Sequence, residues 1–458
     1  MTSRGDRYER GQSLRTQCPR SSHAALNTRD GSADPLHLIE ESNAGRIPGL
    51  IPVRYQRMAQ SPFAFFRGCA IIQARDLLTT PVSGPIVQLC GDCHLLNFGA
   101  FATPERNLVF DINDFDETFS GPWEWDVKRL ATSLVIAAGD RGFSRSVSRD
   151  AARAAVASYR ERMAQYAALS TLDVWYVQIG LTELADFFKR HAAFFGAGLP
   201  EVERYARERS SESVFPKLAT MRDGRPTIVD NPPLIYHFRD HAAEAERFMR
   251  AFFDGYRSSL PADRRRLFDR YTLQDIAIKV VGVGSVGTRC AVALFMSDAT
   301  DPLFLQIKEA RRSVLESPSA TQSSPEHQGE RVVNGQRLMQ AASDIFLGWA
   351  DLPRYGEYYV RQLRDMKVSA AIGRFAPSTL VDYGVVCGWA LARAHAKAGD
   401  AATIAGYLGR ADRFDRAIAQ YASAYADQIE RDFEQFTAAI RSGRISLDAG
   451  DAALDFQP

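Results

Sequence analysis

The 458-residue sequence lacks long apolar runs, a strong charge of either sign and a cysteine-rich pattern. Its longest apolar stretch, around residues 134–138, is far shorter than the roughly 20 residues that cross a bilayer. Lys and Arg total 56 against 55 Asp and Glu, so a net charge of +1 gives no overall field for nucleic acid or anionic lipid. Six cysteines are too few for a disulfide framework in so long a chain. We therefore expect a cytoplasmic protein that binds neither membrane nor nucleic acid.

The composition that is present is that of a globular protein, with 45% apolar and 24% charged residues. The length exceeds one ordinary domain of about 100–200 residues, so two lobes are expected. Patterning divides the chain into a loose polar arm (1–44), a helix-rich part (45–270), a β-rich part (271–367) and a second helix-rich part (368–458). The sequence therefore predicts an α+β protein whose small β-rich lobe lies between two helical segments.

A Gly-Asp-x-His-x-x-Asn motif follows a short predicted strand. Its Asp92 can accept a proton from an attacking hydroxyl group, Asn97 can ligate Mg²⁺, and His94 completes the catalytic set as a hydrogen-bonding organiser of the loop. Asp114, 17 residues after Asn97, ends a second strand-like run and supplies the carboxylate that a magnesium site requires. Asp111 is the competing choice for this ligand.

Two other interpretations of this segment are disfavoured. Cys90 and Cys93 have the spacing of a zinc or redox pair, but no second pair lies nearby and the βαβ pattern is absent. The acidic run 111–116 has the alternation of a calcium loop, but Phe115 occupies a ligand position and no glycine follows it.

A glycine-rich turn, with Gly282, Gly284 and Gly287 around Ser285, is flanked by two predicted strands, 276–283 and 290–295, that are apolar and rich in β-branched residues. A dinucleotide-binding fingerprint opens a helix after its strand, whereas here a second strand is predicted. A strand–glycine turn–strand hairpin fits the loop that covers the nucleotide phosphates in kinases. These four residues are therefore predicted to contact nucleotide phosphates.

A third predicted strand ends at Lys308, in the Ile-Lys pattern of the lysine that grips nucleotide phosphates. A helix with a partner carboxylate is expected next, and Glu330, at the start of a helical pattern, is our choice. Glu309 and Glu316 are poorer choices because they precede the intervening loop. A linker near 364–368 is expected to present backbone groups to the adenine.

Together these motifs resemble the aminoglycoside-phosphotransferase and choline-kinase branch of the protein-kinase-like superfamily. The resemblance implies that Asp92 is the catalytic aspartate, that Asn97 and Asp114 are metal ligands, and that Asp126 is the structural aspartate of the following helix. It also implies ATP and Mg²⁺ as cofactors. Cys90 departs from the pattern of that branch, which usually has histidine there.

The motifs come in the reverse of the kinase order, because Asp92 precedes Gly282 by 190 residues. We therefore predict a circularly permuted, two-lobed kinase-like fold in which residues 271–367 form the nucleotide lobe. The segment 387–395 resembles the helix that precedes the catalytic loop in kinases, which is where the permutation would fall. The hypothesis requires Lys308 of the small lobe to lie close to Asp92 and Asp114.

The chain from about residue 45 also resembles a bacterial family known only as domain of unknown function 2252. The stretches that carry this resemblance are 52–58, 61–68, 110–117, 329–340 and 361–367. The resemblance implies no substrate. Arg54, Arg57 and Arg67 are candidate phosphate or substrate contacts, although an ordinary ion-pair role is the favoured interpretation for each.

The expected function is an ATP- and Mg²⁺-dependent phosphotransferase that acts on a small-molecule hydroxyl or a protein acceptor. The alternatives are a nucleotide-binding pseudokinase with a regulatory role, and a nucleotidyl (AMP) transferase on the same fold. A dinucleotide-dependent oxidoreductase is disfavoured by the strand that follows the glycine turn. The acceptor, the oligomeric state and the choice of ATP or GTP stay open.

Overall fold

A computed structural model of the chain describes most of the sequence. The described residues are 2–27, 29, 34–184, 204, 208, 211–222, 224–232, 234–237, 242–280, 282–316, 325–352, 355–363 and 366–448. The protein is α+β, with 52% helix and 17% strand, as predicted. No helix of the described residues is long and apolar enough to cross a membrane.

The helices provide most of the large core. In chain order they are α1 (Arg4–Gln17), α2 (Pro35–Glu41), α3 (Ile51–Met58), α4 (Pro62–Gly68), α5 (Ala70–Leu77), α6 (Glu124–Asp140), α7 (Arg145–Ala168), α8 (Thr171–Tyr176), α9 (Ser211–Leu218), α10 (Ala242–Ser259), α11 (Ala262–Phe268), α12 (Gln328–Met339), α13 (Pro377–Ala398), α14 (Ala401–Leu408) and α15 (Arg413–Arg441).

The strands are short and fall into four sheets. They are β1 (Ile86–Leu89), β2 (Phe98–Ala102), β3 (Leu108–Ile112), β4 (Phe119–Pro122), β5 (Ala219–Arg222), β6 (Arg225–Ile228), β7 (Ile235–Tyr236), β8 (Thr272–Lys279), β9 (Cys290–Met296), β10 (Pro302–Glu309), β11 (Gly348–Leu352), β12 (Gly356–Gln362) and β13 (Val368–Ser369).

The larger core is formed where α6, α7, α13 and α15 pack together. The amphipathic pattern of α15 predicts this burial: Phe414, Ile418, Tyr421 and Tyr425, at spacings of three and four, are all fully buried. The helices α13 and α15, near the end of the chain, thus pack against α6 and α7, which follow Asp92 and Asp114 in the sequence.

The main sheet is antiparallel, with the strand order β11-β12-β10-β9-β8-β7. Its β8 and β9 pair directly and flank the glycine turn, so the predicted hairpin is confirmed. The predicted first strand extended to residue 283, but β8 ends at Lys279, because the glycine-rich segment leaves the ladder earlier. The third strand, β10, carries Lys308 near its end.

The predicted helical part 45–270 needs correction, because it contains the strands β5, β6 and β7 and because two of its helices belong with the main sheet. Phe253 of α10 and Phe268 of α11 pack on Phe295 of β9, with ring centroids 4.9 and 5.2 Å apart. One face of the sheet is apolar and has to be covered, and these helices cover it. Residues 185–203 lie outside the described residues.

The predicted loose polar arm is also corrected, because α1 is a helix that packs on α14. Arg15 Nε donates to the Tyr407 carbonyl at 2.9 Å, and Arg20 Nη1 donates to the Leu408 carbonyl at 2.6 Å. The last carbonyls of a helix have no partner within that helix and favour cations. Polar residues that read as solvated in the sequence therefore bind the end of α14.

Two small sheets position the predicted site. In one, β1 pairs with β4, and in the other the order is β13-β2-β3. Val368 of β13 is opposite Ala100 of β2, so the chain that leaves the main sheet is attached to the strand that follows the Asp92 loop. Residues 364 and 365 of the predicted adenine linker lie outside the described residues.

Candidate functional site

The loop after β1 is held by a single carboxylate. Asp126, at the start of α6, accepts the backbone N–H of Cys90 at 2.8 Å and that of Gly91 at 3.1 Å. Gly91 has a φ of +88°, and a Cβ there would lie 2.0 Å from the Glu117 carbonyl oxygen, so only glycine fits. This turn directs the next residue, Asp92, into the site.

Asp92 is oriented by an arginine. Nε and Nη2 of Arg129 lie 2.8 and 2.7 Å from Asp92 Oδ1, and Arg129 is itself held by the Phe66 carbonyl and by stacking on the Phe66 ring. Burial alone would raise the pKa of Asp92, but Arg129, His94 and Arg67 outweigh it, so the pKa is lowered. Asp92 is therefore an ionised carboxylate and a weak base.

His94 contributes to the loop as a neutral side chain. Its Nδ1 accepts the backbone N–H of Leu96 at 3.2 Å, so Nε2 carries the proton and points toward Asp92 Oδ2, 3.8 Å away. Burial lowers the pKa of His94 to about 3. This environment suits a hydrogen-bonding organiser and does not suit a cationic acid.

The two predicted metal ligands lie in adjacent loops. Asn97 Nδ2 donates to the carbonyl of Asp92 at 2.8 Å, and the backbone N–H of Asn113 donates to the carbonyl of Asn97 at 2.7 Å. Asp114 Oδ1 is buried and receives no hydrogen bond from the described residues. An amide and a carboxylate with an oxygen left open are a donor set that fits Mg²⁺.

Asp111, the competing choice, is occupied elsewhere. It is fully buried, both of its oxygens lie 2.9 Å from Arg393 Nη2, and Oδ2 also accepts the backbone N–H of Ala341 at 2.7 Å. The side chain of Asp111 joins β3 to α12 and α13. Of the two carboxylates, Asp114 is the one that lines the cavity described below.

Lys308 joins the main sheet to the acidic loops. Its Nζ lies 2.5 Å from Asp116 Oδ2 and 3.9 Å from Asp114 Oδ1. Tyr359, opposite Lys308 on β12, donates a short hydrogen bond to Asp116 Oδ1. Burial opposes the charge of this lysine, which is 4% exposed, but Asp114 and Asp116 raise its pKa well above the usual value.

Glu330 does not take the predicted place beside Lys308. It lies in the first turn of α12, where its Oε1 accepts a hydrogen bond from Asn334 at 3.4 Å. Among the described residues, the carboxylates that pair with Lys308 are Asp114 and Asp116. The correction has a physical reason, since a buried lysine pairs with the nearest carboxylates, and Asp114 and Asp116 lie next to Lys308 after folding.

The glycine turn approaches the same place. Gly282 and Gly287 have positive φ angles of +67° and +87°, and Ser285 Oγ lies 3.3 Å from Asp116 Oδ2. A Cβ at Gly284 would lie 3.1 Å from the carbonyl oxygen of Arg67. The turn is thus packed against α4 and touches the acidic loop through its serine.

One cavity of about 650 Å³ contains most of these groups. It lies where the glycine turn meets α2–α5 and the two acidic loops, residues 90–97 and 113–118. The predicted site residues that line it are Asp92, His94, Asn97, Asp114, Gly282, Gly284 and Ser285. The lining also carries six arginines, Arg46, Arg54, Arg67, Arg75, Arg311 and Arg312. The structure thus brings together the predicted loops and adds a cationic wall.

Sequence reasoning missed several of these residues or gave them the wrong role. Asp116 was one of several acidic residues in its run, with no signal to separate it. Arg46 and Arg311 carry no motif at all. Arg54 and Arg67 were expected to form ion pairs, but neither has a carboxylate partner among the described residues. Only the folded chain shows these arginines in one cavity.

The two cysteines with metal-ligand spacing, Cys90 and Cys93, are both buried where the loop leaves β1. Potential ligand atoms of Cys90, Cys93 and Asp126 lie within 4.8 Å of one another. Both oxygens of Asp126 already accept backbone N–H groups. Burial raises the pKa of Cys90 far above its usual value and that of Cys93 to about 11, so both thiols stay protonated.

Fold and site define an α+β protein with a charged cavity where an antiparallel sheet meets a helical core. The chain belongs to a family of uncharacterised proteins conserved in bacteria, the DUF2252 family, whose family model matches residues 46–439. No curated protein and no solved structure matches the chain.

Proposed function

We propose that this protein is an ATP- and Mg²⁺-dependent phosphotransferase with a circularly permuted, two-lobed protein-kinase-like fold. The observation that carries the proposal is the approach of Lys308 Nζ to 3.9 Å from Asp114 Oδ1. These residues are 194 positions apart in the sequence and were predicted independently as phosphate clamp and metal ligand. In kinases the corresponding lysine is on the third strand, and Lys308 is on the third strand of the run β8-β9-β10.

The position of α13 supports the permutation. His395, near its end, lies 3.3 Å from Asp126 Oδ2, which holds the Asp92 loop. A Cβ at Gly399 would lie 2.4 Å from Val87 of β1. The end of α13 therefore meets the strand that leads into this loop, although the two are about 300 residues apart. A direct connection at this point would restore the usual kinase order.

The side chains have distinct roles in the proposed reaction. The hydroxyl oxygen of the acceptor bonds to the γ-phosphorus while the bond to the β–γ bridging oxygen breaks, and ADP leaves. The hydroxyl proton passes to Asp92, whose lowered pKa suits orientation of the hydroxyl and late proton transfer. Lys308 contacts the nucleotide phosphates, and the glycine turn offers them backbone N–H groups.

Asn97 and Asp114 would hold the metal, and Asp114 Oδ1 is the buried oxygen without a hydrogen bond. Bound Mg²⁺ neutralises charge on the β- and γ-phosphates. Arg67 adds a cation near the same place. Burial lowers the pKa of its guanidinium group, and the nearby charges of Asp92 and Asp114 oppose this shift. Its buried Nε has no acceptor among the described residues, which leaves it free to bind transferred phosphoryl oxygens.

The test uses full-length protein with α- and γ-labelled ATP and Mg²⁺, with cell extract as the source of acceptor. We expect γ-label transfer that is lost in Asp92→Asn and Asp114→Ala. Glu105→Gln, a change at an exposed acid between β2 and β3, is the matched control and should behave as wild type. Transfer of α-label would instead support a nucleotidyl transferase.

Nucleotide binding is measured separately as thermal stabilisation by ATP with and without Mg²⁺. Stabilisation without label transfer would support a pseudokinase. Absence of both nucleotide-induced stabilisation and Asp114-dependent transfer would exclude the kinase-like function.

A further inference from the structure

Three arginines of the cavity form a group that we call the arginine cluster: Arg46, Arg54 and Arg311. They meet around Ser42. Arg54 Nη2 donates to Ser42 Oγ at 2.8 Å, and Arg46 Nε donates to the Ser42 carbonyl at 2.9 Å. Arg311 Nη1 lies 3.4 Å from that carbonyl. Three guanidinium groups therefore share one small region of the cavity wall.

Their other hydrogen bonds also go to neutral oxygens. Arg54 Nη2 donates to the Gly68 carbonyl at 2.7 Å, and Arg46 Nη1 donates to the Val286 carbonyl at 2.5 Å. Arg311 donates a short bond to the Ala44 carbonyl. Within the part of the chain that the structure describes, no carboxylate lies within ion-pair distance of any member of the cluster. None of the three guanidinium groups therefore has a described carboxylate in an ion pair. The two acids that act on the charge of Arg46, Glu117 and Glu309, accept hydrogen bonds from the backbone N–H groups of Val314 and Arg289 instead.

Other arginines of the same cavity differ. Arg75 pairs with Glu41 at 2.8 Å, and Arg312, the next residue after Arg311, pairs with Glu316 at 2.9 Å. The cavity wall therefore does not lack acids in general. Among the arginines that line the cavity, only the cluster and Arg67 form no ion pair with a carboxylate of the described residues.

The cluster is also costly for the protein to maintain. Arg54 is 1% exposed, and its Nε has no acceptor among the described residues. Burial lowers the pKa of Arg54 to about 10, and the charge of Arg311 contributes in the same direction. Burial, Arg54 and Arg311 lower the pKa of Arg46 to about 8, although Glu117 and Glu309 oppose this shift. Because guanidinium groups keep their charge in proteins, this environment favours binding of an anion.

We propose that the arginine cluster binds an oxyanion, a phosphate or carboxylate group, of the acceptor substrate. The inference rests on the proposed function and makes its acceptor a small anionic molecule with a hydroxyl group. The planar donor pattern of arginine matches both oxyanions. The cluster and Asp92 line one cavity, whose volume of about 650 Å³ is in the range of small-molecule sites. An acceptor held there places its hydroxyl group toward Asp92.

The probe is inorganic phosphate, titrated calorimetrically into full-length protein at constant ionic strength, with chloride as the reference anion. Arg311→Gln is the main variant because Arg311 is only half-buried and is less critical for folding than Arg54. Arg312→Gln is the matched control from the same cavity. We expect Arg311→Gln to weaken phosphate binding about tenfold or more, and Arg312→Gln to stay close to wild type. Equal binding by wild type and Arg311→Gln, or no binding by either, would overturn the proposal.

A second titration is made with Mg²⁺ and a non-hydrolysable ATP analogue at saturation. If the cluster binds the acceptor, phosphate should still bind when the ATP analogue is present. If the analogue prevents phosphate binding, the cluster belongs to the nucleotide phosphates and the proposal is overturned. If the analogue itself does not bind, the proposed function is wrong, and the bound anion can no longer be assigned to an acceptor substrate. Anion binding is still judged by the Arg311 and Arg312 variants, so the two failures are distinguishable.

Discussion

Two groups of charged side chains line the cavity and differ in how their charge is compensated. In the acidic cluster, Asp92, Asp114 and Asp116, the charges are met by Arg129 and Lys308 from other elements. The arginine cluster has only carbonyl, hydroxyl and amide oxygens as partners among the described residues. The acidic cluster is thus organised by the chain itself, whereas the positive charge of the arginine cluster is left for a ligand.

The largest effect is expected from Asp114→Asn. Loss of the metal-binding charge should reduce Mg²⁺-dependent label transfer by roughly 10²–10³-fold, as for loss of other charge-stabilising groups in active sites. Transfer rates at saturating ATP provide the measurement.

Asp111→Asn is the matched control for this change. It leaves Arg393 buried without its carboxylate, so we expect a loss of about 3–5 kcal/mol in the free energy of unfolding. A folded but inactive Asp111→Asn beside a fully active Asp114→Asn would reverse the assignment of the metal ligand.

Lys308→Met should come next, because it leaves two half-buried carboxylates, Asp114 and Asp116, without their buried cation. We expect the free energy of unfolding to fall by about 1–3 kcal/mol at pH 7, because solvent partly screens the two carboxylates. Lys308 helps to hold the pKa of Asp114 in the folded protein below its usual value. The stability gained from this ion pair is therefore fully present at pH values above the usual pKa of an aspartate. It is lost as the pH falls through the lower pKa of Asp114 in the folded protein. Urea denaturation at pH 7 and pH 3 tests this sign.

Lys217→Met, at an exposed lysine of α9, is the control for the loss of a positive charge. A difference between wild type and Lys308→Met that does not shrink at pH 3 would show that the carboxylates are not its cause.

A smaller, pH-dependent effect is expected at Lys367. Burial, together with Arg361 and Lys308, lowers its pKa from 10.5 to about 7. The unfolded chain therefore binds more protons between pH 7 and 10.5, and the contribution of this group to stability rises with pH across that window. Lys367→Met should stabilise the protein more at pH 6 than at pH 9, as measured by urea denaturation. A gain that is equal at both pH values would contradict the lowered pKa.

The smallest effect on folding is expected from Arg311→Gln. The variant loses hydrogen bonds to neutral oxygens but relieves repulsion with Arg46 and Arg54, so unfolding should change by less than about 1 kcal/mol. Denaturation beside Lys308→Met provides the comparison. A loss as large as that of Lys308→Met would show that both clusters are compensated within the fold.

Local patterns predicted much of the scaffold of the site. The Asp92 loop follows a strand, the glycine turn joins two antiparallel strands, and Lys308 ends the third. Each depends on turn residues and apolar alternation within about 30 residues, which sequence patterns report well. The choice of Asp114 over Asp111 also rested on spacing, and Asp114 is the one with an oxygen left open.

Partners across long sequence separations were not predicted. Lys308 pairs with Asp116 where Glu330 was expected, and α1 is a packed helix where a loose arm was expected. In both cases the partner is set by which surface lies closest after folding. Helix patterns alone did not show that α10 and α11 cover the main sheet.

By itself, the sequence determined the elements that flank the site loops and the chemistry of those loops, because strand alternation, glycine turns and the spacing of acids are local properties. Tertiary structure decided which charges meet. Arg46 and Arg311 are 265 residues apart and carry no motif, yet both bond to Ser42. Neither arginine forms an ion pair with a described carboxylate, because the acids of the same cavity are bonded to other groups: Glu309 to Arg289 and Glu117 to the backbone N–H of Val314. Only the packing of the whole chain sets these distances.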